Sequence, residues 1–225
     1  MAQQLKDLPI RPSKAPNLLV APVDYSQQYQ DQLNNSLRLY FAEIDNYSQS
    51  LVSDTGGKYL TFPYISAYDT STQYAAGNNT PTIIVWNTAS ALQSFTLNSD
   101  GTATVGQSGT YKITYSLQFA NNTNAQVDAI VWLRVNEVDV VGSATIFTLP
   151  QRKSVGVSSY VCGYSEVVFS MNAGDKVALW WGTPTAATSS GTTGVYIQAQ
   201  AAQTLPMPYP SAPSAIGSIT FVSAV

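Results

Sequence analysis

Residues 109–120 read GTYKITYSLQFA. Tyr111, Ile113, Tyr115, Leu117 and Phe119 alternate with Lys112, Thr114, Ser116 and Gln118. Successive side chains of a strand point to opposite faces, so a period of two sorts this segment into one apolar row and one polar row. It is the clearest strand signal in the chain, and it sets the reading of what surrounds it.

On its N-terminal side, a turn is expected at Gly77-Asn78-Asn79 and a strand at Ile83–Trp86. FTLNSDGTATV (95–105) breaks at Ser99-Asp100-Gly101, a hairpin-type turn. On its C-terminal side, DAIVWLRVNEVDVVG (128–142) places Ile130, Trp132 and Arg134 on one face and Val131, Leu133 and Val135 on the other. Apolar residues on both faces predict a strand covered on both sides, and Asn136-Glu137 predicts the turn into Val138–Val141. VSSYVCGYSEVVFSM, DKVALWWG and GVYIQAQAA continue a run of short strands with no helical pattern between them. The expected class is mainly β, a sandwich or jelly roll over residues 58–204. Within it, Cys162 reads as a buried small hydrophobe in the strand Ser159–Tyr164.

Residues 29–51 break the β pattern. Leu33, Leu37, Tyr40, Ile44, Tyr47 and Leu51 recur at alternating gaps of four and three. That is heptad spacing, and it predicts a helical coiled-coil stalk over 25–53. Tyrosine fills more space than a tight two-stranded seam prefers, which points to three strands. Leu39 and Phe41 fall off the stripe and imply a second covered face. Asp24 or Ser26 can cap the first turn, and Asp54-Thr55-Gly56-Gly57 is the stop.

The two ends are proline-rich. Pro9, Pro12, Pro16 and Pro22 exclude a helix or central strand from residues 1–24. The apolar Leu5, Leu8, Ile10, Leu18, Leu19 and Val20, with the basic Arg11, suit an extended arm that orders on a partner surface. Residues 205–225 hold Pro206, Pro208, Pro210 and Pro213, then Ile219 and Phe221 alternating with Ser218 and Thr220. This extension reads as a linker and a terminal strand, added to a neighbouring subunit or lying at the edge of its own domain.

Composition narrows the function. Only 10% of the 225 residues are charged, against about a quarter in ordinary soluble domains. The surface is therefore largely Ser, Thr, Asn, Gln and Gly, which suits a protein held in an assembly. The net charge of −3 gives no case for nucleic acid. No histidine is present, which removes the commonest general base and metal ligand. The 13 acidic residues are scattered without a distinct pair, so a glycosidase dyad is disfavoured. Neither cofactor nor metal is expected. One cysteine forbids an intrachain disulfide. The opening MAQQLKDLPIRPSKAP lacks the apolar run of a signal peptide, and no segment reaches the ~18 apolar residues of a membrane span. The expectation is a chain assembled in a cytoplasm, without a membrane partner.

The β region resembles the C1q/TNF-like trimeric jelly rolls over roughly residues 80–203. The residues that carry this are Gly109-Thr110-Tyr111 at the start of the long strand, with Phe119 near its end, and Leu133-Arg134-Val135-Asn136 before a hairpin. They also include the turn Met171-Asn172-Ala173-Gly174-Asp175-Lys176-Val177 leading into Ala178-Leu179-Trp180-Trp181. The resemblance implies a homotrimer associated side by side through strand faces. A heptad helix ahead of it would hold three chains in register. The arm followed by YSQQYQDQLNNSLRLYFAEIDN (25–46) resembles the N-terminus of virion proteins of tailed bacteriophages, particularly those of aquatic hosts. That implies a modular virion anchor whose partners are capsid, neck or tail subunits.

The expected function is therefore a non-enzymatic structural virion protein, either a capsid decoration knob or a short fibre. The alternative is an adhesin for a host-surface glycan, with Trp180, Trp181, Tyr160 and Tyr164 stacking on sugar rings. Core packing is the preferred reading of those aromatics, because Trp180-Trp181 falls in a strand with one face turned inward. A capsule depolymerase lacks catalytic residues here, and a regulatory or spore-coat protein does not account for the phage-like arm.

Overall fold

The computed structural model describes residues 16–18, 20, 22–52, 62–190 and 193–224. The chain divides into two units, Met1–Thr61 and Phe62–Val225.

The first unit carries helix α1, Gln27–Val52. Ser26 is its cap. Its Oγ accepts from the Tyr29 amide at 3.3 Å, and its carbonyl accepts from the Gln30 amide at 3.1 Å. The Asp54–Gly57 stop lies outside the described residues.

The second unit is all β. Its strands are β1 (Tyr64–Asp69), β2 (Gln73–Tyr74), β3 (Thr82–Ile84), β4 (Thr88–Gln93), β5 (Phe95–Leu97), β6 (Ala103–Val105) and β7 (Gly109–Asn121). They continue with β8 (Val127–Val135), β9 (Val138–Asp139), β10 (Thr145–Leu149), β11 (Ser159–Met171), β12 (Lys176–Gly182), β13 (Val195–Ile197) and β14 (Ala215–Ser223). They form two antiparallel sheets. In the first, β7 pairs with β11 along one side and with β14 and β13 along the other, and β14 continues to β1 and β4. The second runs β10-β8-β12-β6-β5, with β3 paired to β12 and β9 to β8. Side chains from both sheets make one hydrophobic cluster, as in a β sandwich.

The alternation in residues 109–120 is realised as expected. Tyr111, Ile113, Tyr115, Leu117 and Phe119 are all buried, while the residues between them stay half-exposed. Full burial of such side chains is worth roughly 1.5–3 kcal/mol each, so this row alone commits the strand to its face. The Tyr111 hydroxyl is satisfied by the Gln107 carbonyl at 2.6 Å, and its ring meets Phe95 and Phe221 edge-on.

The expected hairpins also form. Asn136 and Glu137 both have positive φ (50° and 66°), the primed turn that matches strand twist, and they join β8 to β9. At the β5–β6 turn, Gly101 takes φ 87° while Asp100 accepts hydrogen bonds from the Thr102 amide and hydroxyl.

Three expectations are corrected. The strand expected at Ile83–Trp86 ends at Ile84, because the Gln73 side chain bonds both the N–H and the C=O of Val85, each at 2.9 Å, in place of a strand neighbour. β8 is covered on one face only. Val127, Ala129, Val131 and Leu133 are buried, whereas Ile130, Trp132 and Arg134 remain partly exposed. The C-terminal segment is neither an extension nor an edge. β14 lies between β7 and β1, with Ile219 opposite Ile113 on one side and Ile65 on the other. It occupies that interior place because Ala215, Gly217 and Ile219 turn inward on the same parity as the rows beside them.

Gly217 has a specific steric role. A Cβ built there would lie 2.2 Å from Cζ2 of the buried Trp86 indole. Gly217→Ala is therefore expected to cost about 1–3 kcal/mol or more through overpacking. Thermal unfolding followed by circular dichroism should show a melting temperature several degrees lower; an unchanged value would mean that Trp86 relocates freely.

Candidate interaction surfaces

Three surfaces remain after the core is accounted for, one on the helix and one on the outside of each sheet. On α1, Leu33, Leu37, Tyr40, Ile44 and Tyr47 share one half-exposed stripe, and Leu39 and Phe41 are more exposed than that stripe. The side chain of Leu51 lies outside the described residues. Of the arm, Leu5, Leu8, Ile10, Arg11 and Leu19 also lie outside them, while Leu18 and Val20 are exposed.

The outside of the first sheet follows from the parity of β7. Across its middle, Tyr164, Ser116, Ile216, Tyr68 and Thr88 form one cross-strand row, and Val168, Lys112, Thr220, Tyr64 and Gln93 form another. Between them run Glu166, Thr114, Ser218, Ser66 and Ala91. Small hydroxyls bond to one another along this surface, Thr114 to Ser218 at 2.6 Å and Ser66 to Ser90 at 3.0 Å. The charges in these rows are Lys112 and Glu166, which pair at 3.3 Å. The face is broad, uncharged in sum and set with exposed Tyr64, Tyr164, Val168 and Ile216.

Two readings of β11 are corrected here. Cys162 is exposed and lies 3.2 Å from the Ser116 hydroxyl. Tyr160 (49% exposed) and Tyr164 (60%) also face outward instead of into the core. The reason is the neighbouring Gly163. It is the inward residue, because the Phe119 and Phe147 rings fill the place of its side chain, and a Cβ there would be 2.8 Å from Phe119 Cε2. With Gly163 inward, Cys162 and Tyr164 must point out.

The outside of the second sheet is different in kind. Trp132 and Trp180 are directly opposite across β8 and β12. The Arg134 guanidinium lies 4.3 Å above the Trp180 ring centroid, a cation–π contact. Asp139, brought opposite Arg134 by the two-residue hairpin, accepts from Arg134 Nε and from Trp132 Nε1, the latter at 2.7 Å. These two hydrogen bonds, Arg134's first, hold the Asp139 carboxyl below the usual carboxylate range. Beside this cluster is a depression of about 290 Å³, with Ile83, Ala178 and Trp180 in its lining and the charged Asp100, Arg134, Glu137 and Lys176 around it.

Trp181 is 0% exposed and packs on Phe119 at 5.9 Å, so it offers no ring face to a sugar. Trp180 is half-buried at the depression. Sequence reasoning missed the partnership of Trp132, Arg134 and Asp139, although its signal was present. Once Asn136-Glu137 is read as a two-residue turn, Arg134 and Asp139 must pair across it. Among the described residues, no group of three or more Cys, Asp or Glu is placed to hold a metal ion. No helix among them is long and apolar enough to cross a membrane.

No protein-family model matches the chain, and no curated protein matches it.

The exposure of Cys162 gives a direct check. In native protein made single-chain by disrupting any self-association, one thiol per chain should react rapidly with a thiol reagent such as dithionitrobenzoate. Protection comparable to that of a core cysteine would place β11 in the opposite parity.

Proposed function

We propose that this chain is a non-enzymatic structural component of a tailed-phage virion. In this reading it is a homotrimer whose C1q/TNF-like jelly roll is displayed on a coiled-coil stalk and attached by its N-terminal arm. It serves as a capsid decoration knob or a short fibre. The observation that carries the reading is the outside of the first sheet. A face of hydroxyls, tyrosines and aliphatic side chains, with its Lys112 and Glu166 already paired, can meet a copy of itself without like-charge repulsion. An ordinary solvent-facing sheet would carry more charge there than the single Lys112–Glu166 pair.

The helix supports the same conclusion. Its 4-3 stripe remains half-exposed in the single chain, and an isolated helix of this composition draws most of its stability from packing an apolar face. Three copies in parallel would bury Leu33, Leu37, Tyr40, Ile44 and Tyr47 at a common seam.

The full chain at micromolar concentration should scatter light as a particle of about three times 24.1 kDa. Ile44→Asp with Ile216→Arg should reduce this to one chain while the β signal in circular dichroism persists. A full-length protein at single-chain mass would refute the trimer.

Attachment is tested separately. Residues 1–24 are read as the virion anchor, and an extended chain reaches up to ~3.3–3.6 Å per residue across a neighbouring subunit. Protein beginning at Tyr25 should keep its mass ratio and melting temperature but fail to bind particles stripped of this protein. Equal decoration by the truncated form would move the anchor elsewhere.

A further inference from the structure

We propose that residues 199–213 form a protruding finger that packs on the first sheet of a second copy of this chain. The proposal rests on the self-association put forward above and names the element that makes the contact.

β13 and β14 are two parts of one line along β7. Ile197 is opposite Phe119, and Ala215 is opposite Leu117. Only Gln118 lies between them. Its carbonyl accepts from the Gln198 amide at 2.7 Å, and its amide donates to the Ser214 carbonyl at 2.9 Å. Residues 199–213 are thus inserted where a strand would otherwise run on. The insertion folds as a narrow hairpin. Gln200 and Ala212 exchange two backbone hydrogen bonds of 2.9 Å, and Gln203 and Tyr209 exchange two more, at 3.0 and 3.1 Å.

The root of this hairpin leaves it one way out. β7 closes one flank. On the other, the Ser214 amide donates to the Asp69 carbonyl and the Ala199 amide to Thr72 Oγ1. The core lies beneath, with Ile197 and Ala215 fully buried. The hairpin therefore rises from the outside of the first sheet, just ahead of the exposed Ile216. Residues 201–208 are all exposed, Leu205 at 80% and Met207 at 67%.

The chemistry of the tip selects its partner. No Asp, Glu, Lys or Arg occurs from residue 177 to 225, so the finger offers nothing to an acidic or basic surface. Interfacial segments that enter lipid set Lys or Arg beside their apolar residues, and the finger has neither. Pro206, Pro208 and Pro210 present no N–H, and the amides of Gln203 and Tyr209 are already bonded, so these positions add no unmatched donor when the tip is covered. An uncharged surface with apolar side chains is the match. The outside of the first sheet is one, with exposed Tyr64, Tyr164, Val168 and Ile216 and with Lys112 and Glu166 paired. Because the finger stands on that face, a second copy approaching it meets the finger. The paired hairpin holds Leu205 and Met207 in place beforehand, which lowers the ordering cost of contact, and the unbranched Met207 adapts to the surface it meets.

The test uses the full-length chain at micromolar concentration. The photo-crosslinker p-benzoylphenylalanine in place of Leu205 should join two chains on irradiation. Mass spectrometry of protein refolded from isotope-labelled and unlabelled chains should place the link between the tip of one chain and the first sheet of another. The same crosslinker in place of Tyr40 is the control for the helix. Replacing residues 201–211 by Asn-Gly closes the hairpin at the Gln200–Ala212 pair. This should raise roughly tenfold or more the concentration at which half the chains dissociate, with the β signal in circular dichroism retained. Met207→Asp should act in the same direction. A trimer that links through position 40 but not 205, or whose dissociation the Asn-Gly replacement leaves unchanged, overturns the finger and leaves the trimer standing. A single-chain mass for the full-length protein refutes both. Cosedimentation with phosphatidylcholine–phosphatidylglycerol vesicles that the replacement abolishes would assign the tip to a lipid surface and likewise overturn the proposal.

Discussion

The inward row of β7 is the constraint on which the β unit depends. Tyr111, Ile113, Tyr115, Leu117 and Phe119 are buried together, and the strand that bears them is paired along both sides. Because side chains alternate, fixing this row fixes the parity of β11 on one side and β14 on the other. A slip of one residue would turn Lys112, Thr114 and Ser116 into the core, which the desolvation of a charged and several polar groups forbids. Trp86 over Gly217 and Phe119 beside Gly163 are local consequences. In both, a large core ring fills the space that a glycine leaves open.

The same parity separates the two outer surfaces. On the first sheet it exposes hydroxyls, tyrosines and one neutralised ion pair. On the second it exposes a tryptophan pair clamped by Arg134 and Asp139. The first could meet a like surface without like-charge repulsion, since Lys112 and Glu166 are paired. The second keeps, beside that cluster, a depression of about 290 Å³ with Asp100, Arg134, Glu137 and Lys176 in its lining.

Parts of this were legible in advance. The two-residue turn at Asn136-Glu137, the turn at Asp100-Gly101 and the alternation from Tyr111 to Phe119 all follow from local backbone preference or from period. Cys162 and Tyr164 were misassigned because the segment VCGYS gives no local sign of its parity. A glycine can face either way, and only the Phe119 ring demands that Gly163 face inward. The terminal strand was also misplaced. Four prolines before it suggest a chain leaving its domain, whereas the place it fills is created by β7 and β1, far earlier in the chain.

By itself the sequence determined the class of the β unit, its main strand and its tightest turns, together with a heptad stripe on a helix and a surface poor in charge. These depend on neighbours along the chain, through steric preference at each residue and the period of its side chains. Tertiary structure alone decided that β14 is an interior strand, that Trp181 is core while Trp180 borders a depression, and that Trp132 lies opposite Trp180. Those outcomes depend on which strand lies beside which, a matter of long-range pairing that burial of the shared core settles and that no local pattern encodes.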